Sequence, residues 1–224
     1  MDVTDDKSMT SGIDSIIAET GRIDVLVNNA GYGSYGAIED VPLDEARRQF
    51  EVNLFGLGRL TQLVLPHMRA QKFGTIINIS SMGGRLTTPL GGWYHATKYA
   101  VEALSDALRM ETAPFGINVV VIEPGGIRTE WSGIAADHLE ETAEGSAYAS
   151  QIKAVANSMR SESTNNRQSP PSVIADTVEK IVTARKPRTR YVVGFAAKPL
   201  VTLRRILPDR AFDRVISAAL GVRR

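Results

Sequence analysis

The stretch Gly92-Trp-Tyr-His-Ala-Thr-Lys98 decides the fold assignment of this chain, because it places Tyr94 and Lys98 four residues apart. Four residues are about one helical turn, so the two side chains share one face of a helix. An ammonium beside a phenol favours the phenolate and is expected to lower the pKa of Tyr94. Ser81, thirteen residues before Tyr94, supplies a hydroxyl that can hydrogen-bond the same substrate oxygen. These groups can move a proton to or from a carbonyl or alcohol oxygen.

Alone, the pair is weak evidence. Six tyrosines and seven lysines in 224 residues would produce this spacing by chance in about one such chain in five. The alternative is an exposed helix with an ordinary lysine, so the surrounding sequence has to decide.

Strand and helix patterns alternate along the chain. Short apolar runs predict buried strands at 23–27, 74–80, 117–122 and 190–194. Helical patterns predict helices at 5–19, 42–71 (with a break near Gly56), 93–113 and 172–185, and a helical tail at 199–224 broken at Pro208. Residues 130–170 are polar, and we expect them to be irregular with weak helical patterning.

This alternation predicts a single α/β domain over residues 1–224. Its expected architecture is a Rossmann-like, doubly wound parallel sheet in three αβα layers. In such sheets the ligand lies beyond the carboxyl ends of the strands. Unusual residues follow the first three predicted strands, at Asn28 to Gly31, at Ser80 and Ser81, and at Pro124 to Gly126. We therefore expect one site along this edge of the sheet.

Composition excludes several classes of protein. Apolar content is 43% and charged content 23%, both ordinary for a globular protein. No run of eighteen apolar residues predicts a membrane span, and the acidic N-terminus is unlike a secretory signal peptide. With no cysteine and three scattered histidines, we expect neither a disulfide nor a metal site. A cytoplasmic location is the expectation.

The net charge of +1 hides an asymmetry. From Arg185 onward there are eleven Lys/Arg and two Asp/Glu, a local charge of +9, which leaves −8 on the preceding residues. Such a basic tail could face nucleic acid or an anionic membrane. The basic residues alternate with apolar residues of a core type, which favours a solvated helical face or contact with the acidic remainder. We expect no nucleic-acid partner and no membrane association, with peripheral contact through the tail kept as an alternative.

The chain resembles the short-chain dehydrogenase/reductase family from Asp2 to about Thr129. The motifs that carry the resemblance are, in chain order, Asn28-Asn-Ala-Gly31, Asn53, Ser81, Tyr94-x-x-x-Lys98 and Pro124-Gly125. The C-terminal third is similar to the steroid- and retinol-dehydrogenase-like branch. The resemblance implies an NAD- or NADP-dependent oxidoreductase that interconverts an alcohol and a ketone or aldehyde on an apolar substrate.

The resemblance also implies residue roles. Tyr94 would be the general acid/base, Lys98 would lower its pKa and bind the nicotinamide ribose, and Ser81 would orient the substrate oxygen. Asn53 would hold a water that extends the proton relay. Residues 130–170 would form the substrate lid, with Ser81, Trp93 and Tyr94 at the substrate. The implied cofactor contacts are Asp2, Val3, Asn29, Ala30, Gly31, Tyr94, Lys98, Pro124, Gly125, Ile127 and Thr129.

Several of these residues also have an ordinary structural interpretation. Asn28 and Asn29 suit a turn after a strand, and Ser81 suits a cap. Asn53 could be a polar residue at a helix kink, and Pro124-Gly125 a strand terminator. We expect His95 to be structural, because it points about 100° around the helix from Tyr94. The two tryptophans, Trp93 and Trp131, suit packing or a substrate wall.

The chain departs from the family at its start. The family begins with a strand and a Gly-rich turn that binds the pyrophosphate, and we expect this first βαβαβ half to be missing. The strand at 23–27 would then expose an apolar edge. A misassigned start, a truncation, and a catalytically inactive fragment that acts as a binding protein are the open explanations.

Leu86, Leu90, Trp93 and Trp131 predict an apolar pocket, and the resemblance implies a homodimer or homotetramer through helices 43–71 and 93–113.

Overall fold

The computed structural model describes residues 1–162 and 166–222. Its strands are β1 (Val25–Asn28), β2 (Gly74–Ile79), β3 (Ile117–Pro124) and β4 (Arg190–Val193). Its α-helices are α1 (Asp6–Thr20), α2 (Leu43–Phe50), α3 (Gly56–Gln71), α4 (Gly92–Thr112), α5 (Trp131–Glu141), α6 (Ala149–Arg160), α7 (Ser172–Thr183), α8 (Ala197–Ile206) and α9 (Asp209–Ala219).

The strands form one parallel sheet in the order β1-β2-β3-β4. Because side chains alternate along a strand, Ile76 and Val119 face one side, where they pack with α1, α3 and α4. Ile77 and Val120 face the other side and pack with Ile181 of α7. Helices thus cover both faces, and the predicted Rossmann-like α/β fold with a parallel sheet is confirmed.

The segment between α2 and α3 contains the break that was predicted near Gly56. A π-helical turn, Glu51–Phe55, joins the two helices and places Asn53 on their buried side. Gly56 follows directly, and a Cβ atom there would collide with the backbone oxygen of Val3. The glycine therefore lets the N-terminal segment pass close to the start of α3.

The prediction that residues 130–170 are irregular was wrong for most of this segment, whose weak helical patterning corresponds to two helices; residues 163–165 lie outside the described residues. Most of this segment forms α5 and α6, which pack directly against each other. Small and branched apolar residues at helical spacing drive this packing, and they are easily overlooked among the polar residues that surround them. The buried residues of the pair are Ala135, Ala136, Leu139, Ile152, Val155 and Ala156.

The C-terminal tail is part of the folded body. Helices α8 and α9 meet at Pro208, as the sequence predicts, and their apolar stripe covers Leu86 and Met82. The stripe consists of Leu200, Val201, Leu203, Leu207, Phe212 and Ile216. No helix in the described ranges is both long and apolar enough to cross a membrane.

One edge of the sheet stays open in the described part of the chain. Strand β1 pairs with β2 on one side only, and Val27 at its end is 39% exposed. The opposite end of the order, β4, follows α7 and carries Arg190, whose guanidinium reaches back to α4 and β3.

Candidate active site

The carboxyl ends of β1, β2 and β3 open into a cavity of about 600 Å³. Asn29 and Gly31 reach it after β1, Ser80 and Ser81 after β2, and the segment 124–127 after β3. Neighbouring parallel strands end at the same edge, so residues that are far apart in the sequence meet there. The cavity thus lies where the alternating pattern places a ligand site.

Tyr94 and Lys98 enter this cavity from the first turns of α4. Both are buried, at 6% exposure each, and they share one helix face as their spacing predicts. The Lys98 Nζ atom donates to the Ile79 carbonyl at 3.0 Å and lies 6.0 Å from the centre of the Tyr94 ring. A lysine ammonium has three donors, so two remain for other acceptors in the cavity.

Burial sets the protonation of this pair. It raises the pKa of Tyr94 to about 12, and a hydrogen bond from Ser81 offsets only part of that rise. It lowers the pKa of Lys98 to about 8, although the Glu102 carboxylate opposes the shift. The expected lowering of the Tyr94 pKa is therefore not found in the protein without ligand, because desolvation of the phenolate raises that pKa. At neutral pH the site holds a phenol and an ammonium.

Ser81 is oriented by its own turn. It lies in extended conformation after β2, and its Oγ atom accepts the Gly83 backbone N–H at 3.0 Å. Its hydroxyl hydrogen is then left to point toward the Tyr94 hydroxyl. The cap interpretation and the substrate-orienting interpretation are compatible, because the cap uses only an acceptor lone pair.

Asn53 ties the loop after β1 to α4. Its Nδ2 atom donates to the Tyr32 carbonyl at 2.9 Å and to Thr97 Oγ1 at 3.0 Å. Its Oδ1 atom accepts the Tyr32 N–H at 3.0 Å. With 1% exposure, this amide fixes the approach of Tyr32 to the helix of Tyr94.

The residues that line this cavity fit a dinucleotide. A Cβ atom on Gly31 would lie 3.1 Å from Asn53 Oδ1 and 3.5 Å from Lys98 Nζ, so this glycine keeps the space beside the ammonium open. Asn29, Pro124, Gly125, Ile127 and Thr129 line the same cavity.

The other proposed cofactor contacts lie elsewhere. Val3 and Ala30 line a second cavity of about 200 Å³ beside β1, which also includes Asn29. Asp2 is exposed, and its carboxylate accepts the Thr4 N–H at 2.8 Å. In the described part of the chain, Asp2 and Trp93 line neither of these two cavities.

Aromatic rings pack against the Tyr94 ring. The ring centres of Tyr35 and Trp131 lie 5.6 Å and 5.3 Å from that of Tyr94, and 6.0 Å from each other. Sequence reasoning missed Tyr35, because no local pattern distinguishes it from a packing residue. Beyond the rings the wall is mostly apolar and is drawn from the loop after β2, from α6 and α7, from the segment after β4 and from the tail. It includes Leu86, Val155, Met159, Ile174, Phe195, Leu200 and Leu220.

No group of three His, Cys, Asp or Glu side chains in residues 1–162 and 166–222 is arranged to hold a metal ion.

Comparison with known proteins places these features in context. The sequence profile described as short chain dehydrogenase matches residues 1–139. Oxidoreductase BOA17 of Botryotinia fuckeliana is 39% identical, over 87% of this chain and 69% of its own length. An NADPH-dependent 3-dehydrocapnine reductase of Ornithobacterium rhinotracheale is 36% identical, over 96% of this chain and 77% of its own. A 3-ketodihydrosphingosine reductase of Bacteroides thetaiotaomicron is 34% identical, over 100% of this chain and 82% of its own length.

Solved structures of short-chain dehydrogenases share this fold. A short-chain dehydrogenase from Streptomyces avermitilis superposes with a TM-score of 0.77 at 32% identity, over 99% of this chain and 76% of that one. An NAD⁺-bound xylitol dehydrogenase gives a TM-score of 0.60 at 32% identity, over 70% of this chain and 61% of that one. These comparisons do not confirm the expected loss of the first βαβαβ half, which stays a prediction.

Proposed function

This chain belongs to the short-chain dehydrogenase family, and from that premise we propose that it reduces the carbonyl of an apolar ketone or aldehyde, with Tyr94 as the proton donor. The predicted family and the predicted oxidoreductase class are confirmed by the profile and by relatives at 34–39% identity. The cofactor is NAD or NADP. The observation that carries the proposal is the buried Tyr94–Lys98–Ser81 group at the strand ends.

Tyr94 supplies the proton in this proposal. A substrate oxygen in the cavity would lie between the Tyr94 and Ser81 hydroxyls, which both donate to it as negative charge develops. When bound, the reduced nicotinamide supplies the hydride that reaches the carbonyl carbon. Lys98 then stabilises the phenolate that Tyr94 becomes, through its positive charge.

The protonation of the site supports the reducing direction. Burial keeps Tyr94 as a phenol, with a pKa raised to about 12, so it is ready to donate at neutral pH. The reverse reaction needs a phenolate at the start, which the buried site disfavours until a ligand changes its surroundings.

The wall of the cavity supports an apolar substrate. Leu86, Leu200 and Leu220 belong to three different segments and all face it. Two relatives carry names that describe reductases of a 3-keto and a 3-dehydro compound. By analogy with these names, we propose that the substrate of this chain is a ketone on an apolar chain. Within this proposal, the steroid- and retinol-dehydrogenase-like branch is the finer family assignment. A homodimer or homotetramer stays a prediction, and exposed Leu104 and Met110 on α4 are compatible with one.

A series of methyl ketones of increasing chain length, assayed with NADH and with NADPH, tests this function. Each buried CH₂ contributes about 0.8 kcal/mol, so kcat/KM should rise about fourfold per methylene until the cavity is filled. Leu200→Gln should flatten that rise, whereas Ile206→Gln on the exposed face of the same helix should not. Turnover that is independent of chain length would reject the apolar substrate. Coenzyme binding without any turnover would favour the binding-protein alternative.

The pH dependence tests the role of Lys98. Because burial lowers the pKa of Lys98 to about 8, its ammonium is present below that pH and lost above it. We expect the rate of reduction to fall as the pH rises through about 8, since the phenolate of Tyr94 then forms without a neighbouring positive charge. Lys98→Met should lower kcat by about 10²-fold and remove this pH dependence. Lys153→Met, on the exposed side of α6, is the control; the same alkaline decline in Lys98→Met would contradict the assignment.

A further inference from the structure

His95, the neighbour of Tyr94, holds both ends of the loop that follows β2. Its Nδ1 atom lies 3.0 Å from the Gly83 carbonyl, and its Nε2 atom lies 3.1 Å from the Thr88 backbone nitrogen. A backbone N–H can only donate, so Nε2 is the acceptor and Nδ1 carries the hydrogen that is donated to Gly83. The imidazole is therefore neutral and in one tautomer, consistent with burial that lowers its pKa to about 4.

The surrounding backbone packs closely against both ring nitrogens of His95. A Cβ atom on Gly83 would lie 2.8 Å from His95 Nδ1, and one on Gly91 would lie 2.7 Å from Nε2. Both glycines thus let the backbone close on the two ring nitrogens. The histidine is 3% exposed, and the edge of Tyr35 packs against its ring.

This contact leads directly to Ser81. His95 binds the Gly83 carbonyl, and the N–H of the same residue, Gly83, donates to Ser81 Oγ at 3.0 Å. If the loop shifts, the Ser81 hydroxyl loses its fixed direction toward Tyr94. His95 and Tyr94 are adjacent on α4. The histidine therefore fixes the position of Ser81 relative to the helix that carries the proton donor.

We propose that His95 is a positioning residue for carbonyl reduction, which sets the Ser81 hydroxyl against Tyr94 by binding the Gly83 carbonyl and the Thr88 N–H. The inference rests on the proposed function for its catalytic consequence. Its structural content, a loop fixed by one neutral imidazole, is independent of that function.

A pair of isosteric variants separates the two contacts. The amide nitrogen of Asn can take the place of Nδ1 and donate to Gly83, whereas the amide oxygen of Gln extends to the place of Nε2 and can accept from Thr88. We expect His95→Leu to lower kcat roughly tenfold or more, because a misplaced hydroxyl loses its alignment with the reacting oxygen. His95→Asn should recover most of kcat, because it can donate to Gly83, and His95→Gln should recover little. The KM for coenzyme should change less than twofold, about the error of the measurement.

Hydrogen exchange supplies a readout besides activity. Exchange of the Gly83 amide should be faster in His95→Leu and His95→Gln than in the unaltered protein and in His95→Asn. His138→Gln, a partly exposed histidine on α5, is the control in both experiments and should change neither. A kcat in His95→Leu within about twofold of the unaltered protein, or Asn and Gln variants that rank equally, would overturn the inference. If the unaltered protein reduces no ketone with either coenzyme, the proposed function fails, and the exchange of Gly83 still decides the role of His95.

Discussion

Replacing Tyr94 with phenylalanine should lower kcat by about 10²–10⁴-fold, because the variant keeps the ring but has no proton to donate to the carbonyl oxygen. The buried hydroxyl of Tyr94 interacts with Ser81 through one hydrogen bond. Its removal should cost no more than about 1 kcal/mol of the free energy of unfolding, the usual range for one hydrogen bond. The loss should therefore appear in turnover and not in stability or coenzyme affinity.

Tyr99→Phe is the matched control. Tyr99 lies on the same helix, five residues on, and is 41% exposed. Its variant should retain the kcat of the unaltered protein. Turnover is followed by the absorbance of the reduced nicotinamide, coenzyme affinity by calorimetric titration, and folding by urea denaturation. Turnover in Tyr94→Phe at more than about one tenth of the original rate would reject Tyr94 as the proton donor.

The alternation of apolar runs and helical patterns is sufficient to predict the parallel sheet and most helix ends. The start of α1 is an example, since the Asp5 side chain accepts the Lys7 N–H and Gly21 ends the helix with a φ of 74°. Such local signals act within a few residues. Helices α5 and α6 show only weak helical patterning in the sequence, because their stability comes from packing against each other.

The site residues also fall into those that local sequence signals predict and those that only the tertiary fold brings together. Tyr94 and Lys98 could be predicted because one helical turn connects them, and Ser81 because it ends a strand. Tyr35 and Leu220 could not, because only the tertiary fold brings them to the cavity. The direction of the pKa shift of Tyr94 was also beyond the sequence, since spacing places a charge nearby but does not show how completely the phenol is withdrawn from water.

The basic tail shows how a charge count can mislead. Arg190 contributes to the local charge of +9, but its guanidinium binds carboxylates of the body. The interpretation that tail cations meet the acidic remainder is therefore supported at this residue. The contact also has a consequence for stability.

Replacing Arg190 with methionine should lower the free energy of unfolding by about 3–5 kcal/mol, the usual effect of removing one partner of a buried ion pair. Its Nε atom lies 3.0 Å from Glu102 and 3.2 Å from Glu123, and its Nη2 atom lies 2.7 Å from Asp106. Glu123 is 1% exposed, so its carboxylate would be left with little solvent and one distant cation. Arg85 is that cation, at 3.8 Å.

The deficit should shrink as the pH falls. Burial raises the pKa of Glu123, Glu102 raises it further, and Arg85 and Arg190 lower it. Without Arg190 the native pKa of Glu123 moves higher still above its unfolded value, so the native state binds a proton that the unfolded chain has released. Stability of the variant then rises as the pH drops through that interval. Asp106 acts in the same sense, because its pKa is lowered chiefly by Arg190 and the stabilisation that it gives is lost in acid.

Two further variants make this prediction specific. Arg190→Met combined with Glu123→Gln should recover part of the loss at neutral pH, because no buried charge remains at position 123. Arg85→Met should cost less than about 1 kcal/mol, since Arg85 is 41% exposed and lies 3.8–3.9 Å from the two glutamates. Urea denaturation at neutral and acid pH measures all three. A loss in Arg190→Met no larger than in Arg85→Met, or one that grows in acid, would show that the carboxylates do not depend on Arg190 for their charge.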